Sequence, residues 1–266
     1  MHWWDVRHFF RTLLKKVGGL YPKDQPPSRH EPTEKQVKIC APAQRPRMTN
    51  HQQPLDKLSI NFTRAQFLKS APDIWQCPAD EGLEIAFAGR SNAGKSSALN
   101  RLTEQPKLAR TSKTPGRTQL INFFEVAEGK RLVDLPGYGF AKVPISVRKN
   151  WEKNLTEYLN QRQSLCGCLL LMDIRHPLQV FDRNFIAWSL AEGLPLHILL
   201  TKADKLKRGA AKSALLTVRK AIQNEFETPL VSVQTFSALK GDGLADLRQL
   251  LIDWFGSNRL VAEDEI

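Results

Sequence analysis

A third of the way along the chain, Gly89-Arg90-Ser91-Asn92-Ala93-Gly94-Lys95-Ser96 has the spacing GxxxxGK[ST], with Ser97 directly after it. Glycines at this spacing let backbone amides curl round an anion at the positive end of the helix that follows. A lysine after the second glycine reaches the outer phosphates of a nucleoside triphosphate, and the Ser96 hydroxyl can ligate magnesium. The motif by itself does not choose between adenine and guanine.

Three later strings supply what a guanine-specific site needs. Asp134-Leu135-Pro136-Gly137 ends an apolar run. An aspartate there can hold magnesium through a water, and the Gly137 amide can sense the γ-phosphate. Thr201-Lys202-Ala203-Asp204 follows Leu196–Leu200. The Asp204 carboxylate can accept from guanine N1–H and the exocyclic amine, donors that adenine does not present together. A site built for such donors rejects a base that leaves them unpaired. The Lys202 stem can lie over the purine. The commoner string begins with asparagine, so Thr201 is a departure, though its hydroxyl can brace the loop. Ser237-Ala238-Leu239-Lys240 ends the last strand just after Phe236, and Phe236–Ala238 can offer a backbone amide to guanine O6. Between the first helix and the second strand, a polar loop contains Thr111, Thr114, Gly116, Arg117, Thr118 and Gln119, and ends at Leu120. A threonine here closes on magnesium and γ-phosphate in the triphosphate state. Thr118 is the expected one, with Thr114 and Thr111 as rivals.

These motifs need strands and helices to position them. Strand-like runs fall at Glu84–Ala88, Leu120–Val126, Lys130–Asp134, Gly167–Ile174, Leu196–Leu200 and Leu230–Phe236, with Glu128-Gly129 as a hairpin signal. Helical patterns fall at Ser96–Thr103, Ile145–Gln161, Gln179–Ala191, Gly209–Phe226 and Leu244–Phe255. The alternation predicts an α/β fold: a mostly parallel six-stranded sheet with one antiparallel strand and helices on both faces. Each motif then sits at a strand's carboxyl end, where such sheets bind ligands.

Composition sets limits. No apolar run approaches the roughly 18 residues of a membrane span. The four cysteines form no CxxC pair, and the histidines have no zinc-ligand spacing. Cys166 and Cys168 should point the same way from one strand as small apolar groups, and a reducing, cytoplasmic setting fits. The net charge of +12 suits polyanionic partners. Residues 1–47 carry ten Lys/Arg against four Asp/Glu and six of the sixteen prolines. The expected organisation is a basic, Pro-rich extension over 1–55, a nucleotide-binding domain over 56–258 and an acidic tail over 259–266. Within the extension, residues 3–20 have the spacing of a basic amphipathic helix. Met48 is an alternative start.

Together these strings resemble the EngB (YihA/YsxC) family of bacterial ribosome-assembly GTPases. The resemblance rests on Gly89–Ser97, Thr114–Leu120, Asp134–Phe140 with Ala141-Lys142-Val143, and Thr201–Asp204, and it runs from about Leu58 to Phe255. It implies a P-loop G domain that binds GTP, GDP and magnesium and helps mature the large ribosomal subunit, with a role in cell division. It also implies Ser96 and Thr118 as the magnesium ligands, and Gly116–Leu120 as nucleotide contacts. The expected protein is a monomer whose partners are ribosomal RNA and ribosomal proteins. Basic residues flanking the γ-phosphate site (Lys107, Arg110, Lys113 and Arg117; Lys142, Arg148, Lys149 and Lys153) are the expected contacts.

Tyr138 stands where Ras-like enzymes place the glutamine that orients the attacking water. Intrinsic hydrolysis should therefore be slow, and no residue is assigned a catalytic role. Asn92 could help hold a potassium ion beside the phosphates, or could simply turn the loop. Two other readings compete: a membrane-associated GTPase anchored by residues 1–20, and a self-sufficient P-loop enzyme acting on a small substrate.

Overall fold

In the computed structural model the described residues are 60–109, 120–138, 154–226 and 228–257. All lie in one compact unit, Arg47–Ile266. The extension, the switch-loop residues Thr111, Thr114 and Gly116–Gln119, the segment bearing Arg148 and Lys149, and the acidic tail lie outside them.

The elements in chain order are β1 (Gln66–Ala71), β2 (Leu83–Gly89), α1 (Lys95–Thr103), β3 (Ile121–Ala127), β4 (Lys130–Asp134), a helical stretch α2 (154–161) and β5 (Leu165–Asp173). Then come α3 (Val180–Ala191), β6 (Leu196–Thr201), α4 (Arg208–Phe226), β7 (Val231–Thr235) and α5 (Leu244–Ser257). The sheet runs β1-β3-β4-β2-β5-β6-β7. β3 is antiparallel to both its neighbours, and the other pairings are parallel.

The sheet among the described residues has seven strands where six were expected. The addition is β1, whose first four residues are exposed and therefore show no apolar alternation. An edge strand of this kind is held by its ladder to β3 and not by its own pattern. The ladder shifts register between Phe67 and Lys69, a bulge that blunts the open edge.

β5 is buried on both faces along almost its whole length, as a parallel strand covered by helices on each side must be. One core cluster joins Ile85 and Phe87 of β2, Leu169 and Leu171 of β5, Leu99 and Leu102 of α1, and Leu247, Leu251 and Phe255 of α5. Residues of the opposite parity, such as Ala86, Leu170 and Ile198, are equally buried on the other face.

The ladder between β2 and β5 shifts register between Glu84 and Ile85, so β5 bulges at Cys166. The bulge breaks alternation: Cys166 joins Leu169 and Leu171 in the cluster, whereas Cys168 does not. The two thiols were expected to share a face, and this irregularity separates them. Burial pushes the Cys166 thiol up to about 12. It packs as an apolar group.

Candidate nucleotide-binding site

β2 ends at Gly89, and the chain turns into α1 through a loop of unusual backbone conformation. Gly89 has φ +147°, and a Cβ there would lie 2.5 Å from the Leu171 carbonyl oxygen of β5. Only glycine permits that approach. Asn92 and Gly94 also have positive φ, at 62° and 97°. These positive-φ residues curl the loop round the start of the helix.

Lys95 is buried, and its Nζ donates to the carbonyls of Gly89 (3.0 Å) and Arg90 (3.4 Å). The ammonium is held in the mouth of the loop. Burial lowers its pKa, and Asp134 opposes that.

The segment after β4 zips onto this loop. Leu135 N–H donates to Phe87 O, and Ser91 N–H to Tyr138 O at 2.8 Å. Gly137 is pressed against the P-loop, since a Cβ there would meet Lys95 Nζ at 2.8 Å and Ser91 N at 3.0 Å. Asp134 and Gly137 are thereby brought to the lysine.

Ser96 Oγ donates to Asp134 Oδ2 at 3.4 Å, while Asp134 Oδ1 is buried without a hydrogen-bond partner. Burial pushes the Asp134 carboxyl up to about 6, with Lys95 and Ser96 pulling the other way. A hydroxyl beside a carboxylate with an unsatisfied buried oxygen is a hard-oxygen donor set, and magnesium fits it. The described residues contain no cluster of three or more metal-ligating His, Cys, Asp or Glu side chains. Magnesium at this site would complete its shell from phosphate oxygens and water.

The Thr201–Asp204 loop is tied to the same P-loop. Thr201 Oγ1 donates to Ala93 O (2.6 Å) and Met172 O (3.1 Å), so the threonine braces two neighbouring segments. Lys202 takes φ 58° and its Nζ donates to Asn92 O at 2.7 Å. Ala203 N–H donates to Phe236 O, joining the two base-side motifs. Ser237 Oγ donates to Asp204 Oδ1 at 2.8 Å and accepts from Lys240 N–H at 3.1 Å. The Ser237 bond is the leading cause of a lowered Asp204 pKa, which keeps the carboxylate charged and aimed. Ala238 follows on the same turn. Leu120 is exposed immediately before β3.

Two features were missed in the sequence. Asp173, at the end of β5, pairs with Lys202 Nζ at 3.0 Å and is bonded by Arg175, whose contact is the first cause of a strongly lowered Asp173 pKa. Its signal was an acid ending a wholly apolar strand, in register with Thr201. The second is the anchoring of Tyr138 to α3. The side chain is buried, stacks on Phe181 with ring centroids 3.9 Å apart, and donates to Asp182 Oδ1 at 2.6 Å. Asp182 in turn accepts from Gln179 N–H and caps α3. The tyrosine is built into α3 and cannot orient a water as a glutamine would.

A relative from Vibrio parahaemolyticus, named "Probable GTP-binding protein EngB", is 54% identical over 211 residues, covering 79% of this chain and 95% of its own. The chain belongs to the EngB family of GTP-binding proteins. An EngB from Psychromonas ingrahamii is 57% identical over 213 residues, covering 78% of this chain and 97% of its own. Residues 84–202 also match the family described as "50S ribosome-binding GTPase". A crystal structure described as a probable GTP-binding protein EngB superposes with a TM-score of 0.52 at 25% identity, over 65% of this chain and 98% of that one. The P-loop of this EngB member therefore belongs to a GTPase G domain. No helix of the described residues is long and apolar enough to cross a membrane.

Proposed function

We propose that this protein is a GTP-operated switch in the cytoplasm that acts, as a monomer, in assembly of the large ribosomal subunit and so supports growth and division. The observation that carries the switch reading is the contact of Gly137 with Lys95 and Ser91. A γ-phosphate held by Lys95 must press on that glycine, so the DLPG segment feels which nucleotide is bound. The ribosomal part is supported by the description of the matching family and by the net charge of +12.

In this reading the amides of Gly89–Ser97 cradle the phosphates and Lys95 neutralises their charge. Ser96, Asp134 and Thr118 hold magnesium directly or through water. When bound, the ion offsets charge on the β- and γ-oxygens. Asp204 reads guanine, Lys202 covers the ring, and Phe236–Ala238 close the O6 side. Gly116–Leu120 and Leu135-Pro136 complete the enclosure.

Hydrolysis is slow, on the order of the 10⁻⁴ per second of unassisted Ras, because Tyr138 is committed to α3. An exposed Asn92 at the crest of the loop offers a side-chain oxygen for potassium. Equal GTPase rates in potassium and sodium at matched ionic strength would reduce it to a turn residue.

Co-sedimentation with large subunits tests the proposal. The form holding a non-hydrolysable GTP analogue should pellet with subunits more strongly than the GDP form. Asp204→Asn should transfer that behaviour to xanthine nucleotides, whose C2 carbonyl accepts from the new amide. Equal pelleting of both forms at every salt concentration would overturn the switch.

A further inference from the structure

The stretch from Lys205 to Asn224 contains six cations and no acid. The six are Lys205, Lys207, Arg208, Lys212, Arg219 and Lys220, and all are exposed. A solvated helix ordinarily intersperses both signs, and like charges on one face repel. The acids that flank the stretch are occupied: Asp204 accepts from Ser237, and Glu225 is ion-paired with Arg183 of α3. Among the described residues, Lys207, Arg208, Lys212 and Lys220 meet no carboxylate within ion-pair distance.

Helical geometry gathers these charges. At about 100° per residue, Arg208, Lys212 and Arg219 fall within one sector about 40° wide, and Lys220 lies farther round the outer face. The inner face of α4 is spent on the core through Val218 and Ile222. From Arg208 to Lys220 the helix rises by about 18 Å, a reach that spans several phosphates of one strand.

A groove runs beside this face, between α4 and the sheet's edge strand β7. Its walls carry Arg219, Gln223, Asn224 and Thr228 beside apolar Ile222 and Val231, and Arg219 is laid across the strand by a 3.0 Å bond to the Val233 carbonyl. Amides and hydroxyls beside a row of cations suit the 2′-hydroxyls, base edges and phosphates of RNA. An anionic membrane is the poorer match. Binding to lipid by a surface helix needs large apolar side chains to insert, and on the outer face of α4 the exposed large apolar residue is Leu216.

We propose that α4 and the groove along β7 form an RNA-docking surface that is separate from the switch segments. It starts one short turn after Asp204 and follows β7, three strands from β2 and its P-loop on the side of the sheet away from β4. RNA is therefore held in both nucleotide states, while the switch segments decide how the rest of the particle is engaged. The inference rests on the ribosomal reading only for naming RNA as the polyanion.

The test uses the full chain, a fluorescently labelled single-stranded RNA, its duplex, and phosphatidylglycerol vesicles. Arg208→Glu with Lys212→Glu and Lys220→Glu should weaken RNA binding at least about tenfold near 0.1 M salt. With the single strand, the plot of log affinity against log salt should become shallower by about two, since each of the three lost phosphate contacts contributes about 0.7. GDP affinity should not change, because none of the three lies in the nucleotide site. The milder pair Lys212→Gln with Lys220→Gln should give a shallower slope in the same direction, and stands in if the triple variant misfolds. Unaltered affinity and slope in both variants would overturn the proposal, as would wild-type protein that binds the vesicles and not the RNA. Wild-type protein that binds free RNA through α4 but leaves large subunits unpelleted would sink the ribosomal reading and spare this one.

Discussion

The two ends of β2 lie five residues apart and are built on opposite principles. At the Glu84 end every charge is answered. Glu84 is fully buried, and its carboxylate accepts from Arg131, from Tyr158 Oη and twice from Arg162, at 2.7 to 3.0 Å. The spare donors of the two arginines go to the Ala79 and Glu81 carbonyls. At the Gly89 end the chain uses left-handed backbone, a buried lysine bonded only to carbonyls, and a carboxylate oxygen with no partner. Both ends hold titratable groups in low-dielectric surroundings. The difference is satisfaction: a closed network fixes structure, whereas open valences at a strand's carboxyl end await a ligand.

That contrast can be broken by exchanging the expected phenotypes. Glu84→Ala would strand two buried guanidiniums and should cost about 3–5 kcal/mol of stability, read by denaturant titration. The protein that remains folded should bind GDP with wild-type affinity. Lys95→Ala should behave inversely. Loss of a charge on the phosphates should weaken GDP binding by about 2–5 kcal/mol, thirtyfold or more by calorimetry. Stability should shift by no more than about 1 kcal/mol, because the ammonium's burial opposes its own contribution. A Lys95→Ala protein that is unstable but binds normally would reverse the assignment of the two ends.

His197, near the start of β6, sharpens the comparison because it is an imperfection at the closed end. Its Nδ1 lies 2.7 Å from Ser232 Oγ, but Nε2 is buried without a partner. Burial pulls its pKa down to about 4 from an ordinary value of 6.5. The folded state therefore binds fewer protons than the unfolded one between those values. The contribution of His197 to stability should be flat above pH 6.5 and fall as pH drops towards 4, by about 3 kcal/mol in all. His197→Gln should flatten that decline in thermal melts across the range.

The smallest effect concerns Tyr138. Tyr138→Phe removes the bond to Asp182 and should cost about 1–2 kcal/mol by denaturation, since the buried carboxylate keeps its Gln179 partner. Unassisted GTP hydrolysis should keep its rate. A tenfold fall in single-turnover rate would place the tyrosine at the reaction centre after all.

What the sequence disclosed follows the same division. The P-loop, Asp134–Gly137, Thr201–Asp204 and Phe236–Ala238 were legible because each is a short local string placed by the strand before it. The hairpin at Glu128-Gly129 was equally local. Edge strand β1, the bulge at Cys166, the Lys202–Asp173 pair and the burial of Tyr138 were not. Each arises when segments distant in sequence fix one another's register or surroundings, and no local pattern carries that. Thr118, drawn from three threonines in one loop, lies outside the described residues.

Strand β1 has a further consequence, in the order of synthesis. It ends at Ala71, but its ladder partner β3 starts only at Ile121, some fifty residues later. At about 5–20 residues per second, β1 leaves the ribosome several seconds before it has anything to pair with. Phe67 and Leu68, which remain about half exposed even in the finished sheet, are during that interval a bare apolar pair on a nascent chain. Lys69 beside them and the bulge at Leu68 are the features that keep such a segment from pairing with another copy of itself. The first strand of the described residues to be made thus waits for a partner some fifty residues away, and its composition suits the wait.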